Sequence, residues 1–127
     1  MTTATQINAA RQYQRQAIMT ASKEKLVVML YDGALRFMDR GLHAFESGNT
    51  TAIGEALSKA FAVVGELRST IDHGRGGTIA LDLERLYGFI QDRIVQANRD
   101  RQTEPLVAAR EVMATLKEGW DAIVRTA

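Results

Sequence analysis

Apolar residues recur every three or four positions in four separate stretches of the chain. This spacing places them on one face of an α-helix and predicts helices over 23–46, 51–71, 78–98 and 104–125. The first of these stretches has two adjacent apolar rows, which predicts a wide buried face. The rows are Leu26, Leu30, Ala34, Phe37, Gly41 and Phe45, and Val27, Tyr31, Leu35, Met38 and Leu42.

Short polar segments around 47–51, 72–78 and 98–103 separate the predicted helices. Short connections place consecutive helices next to each other and antiparallel. No stretch has the sustained alternation of a strand. We therefore predict an all-α fold, an antiparallel up-down four-helix bundle with a short N-terminal helical arm. The predicted division is residues 1–19 for the arm and 20–127 for the bundle, with Ser22 as the N-cap of the first long helix.

Six of the ten glycines fall inside predicted helices, where each costs roughly 0.5–1 kcal/mol relative to alanine. Two explanations remain open: close packing of neighbouring helices, or shallow surface grooves that admit another helix. Gly88, beside Tyr87, is the best candidate for a groove. The six are Gly33, Gly41, Gly54, Gly65, Gly88 and Gly119.

Composition removes several classes of function. The chain has 16 Lys and Arg against 15 Asp and Glu, and its aromatic residues are not interleaved with a basic stripe, so we expect no nucleic-acid binding. It has no cysteine, which excludes disulfides, thiolate catalysis and cysteine-based zinc sites. Residues 1–17 lack the apolar core of an export signal, and no stretch has the ~18 consecutive apolar residues of a membrane span. We expect a cytoplasmic protein without membrane insertion.

No arrangement of residues predicts a reaction. A di-metal helical bundle needs Glu-x-x-His on two helices, whereas His43 precedes Glu46 and His73 has no glutamate three residues before it. The glycines of 74–77 follow no strand and precede no Gly-Lys-Ser/Thr, so they are read as a helix–helix turn. We therefore expect no catalytic residue, no metal and no cofactor. The pattern favours a helical interaction module rather than an enzyme.

Several motifs resemble the flagellar secretion chaperone family FliS. They begin with Tyr13-Gln14 and 18–22, Ile-Met-Thr-Ala-Ser, and continue with 29–33, Met-Leu-Tyr-Asp-Gly. Later matches are 76–80, Gly-Gly-Thr-Ile-Ala, then Leu86-Tyr87, Ala97-Asn98 and Trp120. The resemblance spans about Tyr13 to Ile123. Two positions depart from the family pattern: Lys23 replaces the proline of the cap, and Phe61 stands where many members have a polar residue.

The resemblance implies a cytoplasmic export chaperone for flagellin. Members bind the disordered C-terminal segment of flagellin in apolar surface grooves, prevent premature polymerisation and deliver the subunit to the flagellar type III export apparatus. The expected partners are one flagellin C-terminal segment per chaperone and the cytoplasmic domain of an export-gate protein. Weak dimerisation of the free protein is consistent with exposed grooves.

The same resemblance supplies candidate binding residues. Tyr13 and Ile18 correspond to the family's N-terminal arm, which is expected to cover a groove in the empty chaperone and to assist docking at the export gate. Other motif positions are assigned to the flagellin groove or its support, with core packing as the alternative for each apolar one. These are Met29, Tyr31, Asp32, Leu83, Leu86, Tyr87, Ile90 and Asn98.

Two further expectations concern the polar groups of three candidate residues and an alternative function for the protein. The hydroxyl groups of Tyr31 and Tyr87 need hydrogen-bond partners if buried, and the backbone of a bound segment could supply them. Asp32 could instead pair within the chain. The alternative function is a helical-bundle adaptor that binds another flagellar filament protein or a regulator.

Overall fold

The computed structural model describes residues 4–10 and 23–126, which form five helices and, within those ranges, no strand. Helix α1 covers residues 4–10, and α2 covers Lys23–Ser47. They are followed by α3 (Thr50–Ser69), α4 (His73–Asp100) and α5 (Glu104–Thr126). The predicted limits lie close to these, except that α4 begins several residues before the predicted start at 78.

Helices α2 to α5 form the predicted antiparallel bundle. The neighbouring pairs are α2–α3, α3–α4, α4–α5 and α2–α5, so α2 lies diagonally opposite α4. Each helix turns one apolar face to the shared core, which confirms the fold class. The largest fully buried side chains are Tyr31, Tyr87, Met38, Leu57, Leu67, Ile90, Ile94, Leu106, Met113 and Val64.

The start of α4 differs from the prediction. Asp72 caps the helix, since its carboxylate accepts hydrogen bonds from the backbone N–H groups of Gly74 and Arg75. One helical turn follows and then breaks at Gly77, whose φ of 54° and ψ of −128° are not helical. The segment read as a helix–helix turn is therefore a capped helical turn, joined to the body of α4 by a glycine kink.

The internal glycines divide between the two explanations. A Cβ atom on Gly41 would lie 2.9 Å from Leu57 Cδ2 and 3.3 Å from Leu106 Cδ2, so close packing of three helices explains this glycine. Gly54 and Gly119 would meet nothing within 4 Å. The Cβ of an alanine at Gly88 would have ordinary contact with Arg68, at 3.9 Å, so close packing does not require a glycine here.

The seven residues of α1 are all exposed, including Ile7 at 47%. The predicted arm residues Tyr13 and Ile18 and the predicted N-cap Ser22 lie outside the described residues.

Candidate interaction surface

Helix α4 exposes more large apolar side chains than any other described helix. Four side chains of α4 are exposed to solvent by 41% or more: Ile79, Leu81, Phe89 and Val95. Three depressions on the surface of the bundle have walls formed by α4, and we name them the end cavity, the α3–α4 groove and the α4–α5 groove.

The end cavity has a volume of about 370 Å³ and lies at the end of the bundle where α3 passes into α4. One wall is the α3–α4 connection and the capped turn before the Gly77 kink, including Ile71 and Arg75. The other walls come from the first turns of α2, the body of α4 and the C-terminal part of α5. Their apolar members are Val27, Ile79, Ala80, Leu83, Tyr87 and Trp120.

Three aromatic residues support the end cavity from within the bundle. The hydroxyl groups of Tyr31 and Tyr87 share a hydrogen bond of 2.5 Å across the diagonal from α2 to α4. The indole N–H of Trp120, on α5, donates to the same Tyr31 oxygen at 3.2 Å. Both tyrosine side chains are almost fully buried, so the chain itself satisfies their hydroxyl groups. The predicted need for hydrogen-bond partners is therefore met by other side chains of the protein, without the backbone of a bound segment.

Burial fixes the protonation state of both phenols. Removal from water raises the pKa of Tyr31 far above its ordinary range, and the hydrogen bond and proximity to Tyr87 raise it further. Burial also raises the pKa of Tyr87, against the opposing effect of its hydrogen bonds. Both hydroxyl groups are neutral at physiological pH and act as structural hydrogen-bonding groups.

The α3–α4 groove, of about 200 Å³, contains an unsatisfied polar atom in an apolar setting. Phe61 on α3 and Val95 on α4 form its exposed rims, at 40% and 47% exposure. Leu57, Ser58, Ile94 and Asn98 complete the lining. Asn98 Oδ1 is buried and has no hydrogen-bond partner among the described residues. A bound segment with a free N–H group would satisfy this atom.

The α4–α5 groove lies on the other side of α4. It has a volume of about 350 Å³, and Leu86, Val112 and Leu116 provide its apolar lining, with Glu111 and Thr115 at its edge. Phe89 lies one turn further along α4, and the guanidinium of Arg93 is 5.3 Å from the centre of its ring. This groove has the apolar floor and polar edge that suit an amphipathic helix.

A polar network separates the end cavity from the α3–α4 groove. Arg68 on α3 donates to Glu84 and to Gln91 Oε1, and Gln91 Nε2 donates to the carbonyl of Phe61. His73 Nε2 lies 3.1 Å from the second oxygen of Glu84. The hydrogen bond from Arg68 lowers the pKa of Glu84, and the charge of Arg68 and the proximity of His73 contribute to this shift. The network joins α3, the capped turn and the body of α4.

The predicted groove residues divide between the surface and the core. Leu83 lines the end cavity, Leu86 the α4–α5 groove and Asn98 the α3–α4 groove. Ile90 is completely buried in the core. Tyr31 and Tyr87 are also core residues, although Tyr87 reaches the wall of the end cavity. The buried residues of the predicted groove pack beneath the surface and support it.

The two remaining predicted residues of α2 lie away from these depressions. Met29 is 46% exposed and lines none of the three. Asp32 is exposed, with one carboxylate oxygen 3.3 Å from Lys117 Nζ on α5. Asp32 therefore pairs within the chain, as the alternative for this residue proposed.

Several residues of the surface were not among the predicted site residues. Phe61 and Val95 were missed because they lie beside the buried rows of α3 and α4, outside the pattern that defines the core. Val112, Leu116 and Trp120, all within the fourth predicted helix, were not assigned to a groove either. The signal that could have identified them is an apolar residue just outside the row of core positions, as Phe61 is.

Residues 4–10 and 23–126 contain no group of three His, Asp or Glu side chains arranged to hold a metal ion. Within the same ranges, no helix combines the length and apolar character required to cross a membrane.

A helical bundle whose surface offers apolar grooves beside one helix has the features of a protein-binding module. The family model described as "Flagellar protein FliS" matches residues 6–127. The chain therefore belongs to the FliS family of flagellar secretion chaperones.

Curated relatives carry the same description. The chain is 36% identical over 106 residues to the flagellar secretion chaperone FliS of Vibrio cholerae, which covers 84% of this chain and 78% of the relative. It is 34% identical to the protein of that name from Salmonella typhimurium, over 84% of this chain and 80% of the relative. It is 31% identical to the flagellar secretion chaperone FliSB of Pseudomonas aeruginosa, over 92% and 96% of the two chains. These relatives are named as chaperones and not as enzymes.

Proposed function

We propose that this protein is a cytoplasmic chaperone that binds the disordered C-terminal segment of flagellin, one segment per chain, in the grooves beside α4. Binding prevents premature polymerisation, and the complex delivers flagellin to the flagellar type III export apparatus. The observation that carries this proposal is the α3–α4 groove, where exposed Phe61 and Val95 flank the unsatisfied Oδ1 of Asn98.

The grooves suit a segment that folds as it binds. A disordered segment loses conformational entropy on binding, so it needs extended contact for useful affinity. The end cavity, the α3–α4 groove and the α4–α5 groove lie along one helix, and a single segment could follow them in turn. Amphipathic helical turns would place apolar side chains against Leu86 or Val95, and a free N–H group at a helix start would meet Asn98.

The predicted N-terminal arm is part of this proposal. In the empty chaperone, residues 1–19 would cover an apolar depression, with Tyr13 and Ile18 as anchors. Trp120 is the single tryptophan of the chain and lines the end cavity, so its fluorescence reports on this site. If the arm occupies the end cavity, deletion of residues 1–17 should change the emission of Trp120 and strengthen flagellin binding. Unchanged emission and affinity would contradict this role.

Calorimetry tests the proposal by comparing full-length flagellin with a flagellin that lacks its last ~40 residues. That length is chosen to span a bundle whose helices are ~30 Å long. We expect 1:1 binding with a large negative heat-capacity change, which is lost on truncation. Binding that survives truncation would contradict the proposed segment. No binding to either form would favour another filament protein or a regulator as the partner.

Delivery needs a separate measurement. The cytoplasmic domain of the export-gate protein should bind the chaperone–flagellin complex more tightly than either component alone. Equal affinity for free flagellin and for the complex would contradict a role of the chaperone in delivery.

A further inference from the structure

Two acidic residues of α2 form ion pairs with α5. The acidic residues Asp32 and Asp39 face α5, where Lys117 and Arg110 form ion pairs with them. Arg40 lies on the side of α2 next to α3, since it and Lys59 of α3 approach the same Phe37 ring. The Arg36 Nη2 atom and the Val63 Cγ1 atom of α3 lie 3.9 Å and 4.0 Å from the position that a Cβ of Gly33 would occupy.

Helix α3 adds another positive charge at the same place. The Arg40 guanidinium is 5.3 Å and the Lys59 Nζ atom 5.8 Å from the centre of the Phe37 ring. Two cations therefore lie against one aromatic side chain, and both are exposed. We name Arg36, Arg40, Lys59 and Phe37 the basic face.

The basic residues of this face have no acidic partner in the described part of the chain. None of the ion pairs within residues 4–10 and 23–126 includes Arg36, Arg40 or Lys59. Like charges held close together repel, and an anion placed between them relieves the repulsion. Asp32 and Asp39, the acidic residues of α2 nearest to Arg36 and Arg40 in sequence, are engaged by α5, so an anion from another molecule can take this place.

We propose that the basic face is a second docking site, for an acidic segment of a partner protein. Arg36 and Arg40 are one helical turn apart, about 6 Å along the axis, which matches carboxylates one turn apart on a partner helix. Guanidinium groups bind carboxylates in a bidentate manner, and Phe37 adds an apolar contact between them. The net charge of +1 argues against a polyanion such as nucleic acid, whose binding depends on a larger excess of positive charge.

The location makes this site independent of the proposed flagellin grooves. It lies at the boundary of α2 and α3, whereas the grooves lie at the boundaries of α4 with α3 and α5. Both surfaces can therefore be occupied at once. The inference does not rest on the identity of the segment bound beside α4.

The test measures binding of an oligoglutamate peptide with blocked ends to the full chain, by NMR titration and calorimetry at low salt. The test variant is Arg36→Gln, Arg40→Gln, Lys59→Gln. The control variant is Arg85→Gln, Arg99→Gln, Arg125→Gln, which removes the same charge from exposed positions on α4 and α5. Circular dichroism establishes that both variants fold.

We expect peptide-induced shifts confined to the basic face, about tenfold weaker binding by the test variant and little change in the control. Equal losses in the two variants would overturn the proposal, since they would indicate attraction by overall charge alone. Tighter binding of an oligonucleotide of equal charge would overturn it in favour of nucleic acid. Tighter binding to phosphatidylserine-containing vesicles would overturn it in favour of a membrane surface.

Discussion

The phenol groups of Tyr31 and Tyr87 meet across the diagonal of the bundle, with their oxygen atoms 2.5 Å apart and their ring centres separated by 6.2 Å. Their helices, α2 and α4, are not sequence neighbours and face each other across the core. The indole of Trp120 brings α5 into the same contact. This polar centre fixes three helices beneath the end cavity.

Replacement of the tyrosines should show that the three groups act as a unit. Tyr31→Phe leaves both the Tyr87 hydroxyl and the Trp120 N–H without their partner, so we expect it to lower the free energy of unfolding by about 1–3 kcal/mol. Tyr87→Phe should cost less, because Tyr31 still accepts from Trp120. The double variant should cost less than the sum of the single variants. Urea denaturation provides these values, and strict additivity would contradict the coupling.

Alkaline pH should destabilise the fold through the same residues. Burial raises the pKa of both phenols above the ordinary value of 10.0, so the unfolded chain loses these protons before the folded one. Their contribution to stability is complete below pH 10 and is lost as pH rises beyond it. Absorbance of tyrosinate, followed with circular dichroism, should show Tyr31 and Tyr87 ionising only as the helices unfold. Reversible ionisation of all three tyrosines in the folded protein would refute this account.

Acid should weaken the network that joins α3 and α4. The hydrogen bond from Arg68 lowers the pKa of Glu84 below its ordinary value of 4.5. The stabilisation is therefore complete above that pH and is lost as pH falls through the lower value in the folded state. Glu84→Gln should be less stable than the parent at about pH 6, and the difference should shrink at about pH 3. Urea denaturation at both pH values checks this, and a constant difference would show that Glu84 acts through packing alone.

Two glycines offer a matched test of helix packing. Gly41→Ala places a Cβ 2.9 Å from Leu57 Cδ2, so the side chains must shift and stability should fall by about 1–3 kcal/mol. Gly119→Ala meets nothing within 4 Å and should raise stability by roughly 0.5–1 kcal/mol, because alanine favours the helix. Thermal unfolding distinguishes the two variants. Equal effects of the two substitutions on stability would mean that the packing around Gly41 is looser than the distance to Leu57 indicates.

The sequence predicted the helices well because the period of the apolar rows directly identifies the buried face. The start of α4 was misread because glycines between 74 and 77 suggest a turn, whereas the cap at Asp72 allows a helical turn before the kink at Gly77. The grooves were harder to predict. Periodicity does not show which helices border a given side chain, so it could not show that Val95 borders a groove with α3.

The family motifs contain residues of both the core and the surface. Leu83, Leu86 and Asn98 line the depressions beside α4, whereas Tyr31, Tyr87 and Ile90 lie in the core. A sequence motif contains both core and surface residues, and only the burial of each side chain in the structure distinguishes them.

The measurement that most directly tests the central claim compares two exposed valines. Val95 forms a rim of the α3–α4 groove, and Val107 on α5 is similarly exposed but borders none of the three depressions beside α4. We predict that Val95→Asp weakens binding of a flagellin C-terminal peptide at least about tenfold, because it places a charge on the apolar surface. Val107→Asp should bind with the affinity of the parent. Equal affinities of the two variants, measured by calorimetry, would contradict the assignment of flagellin to this groove.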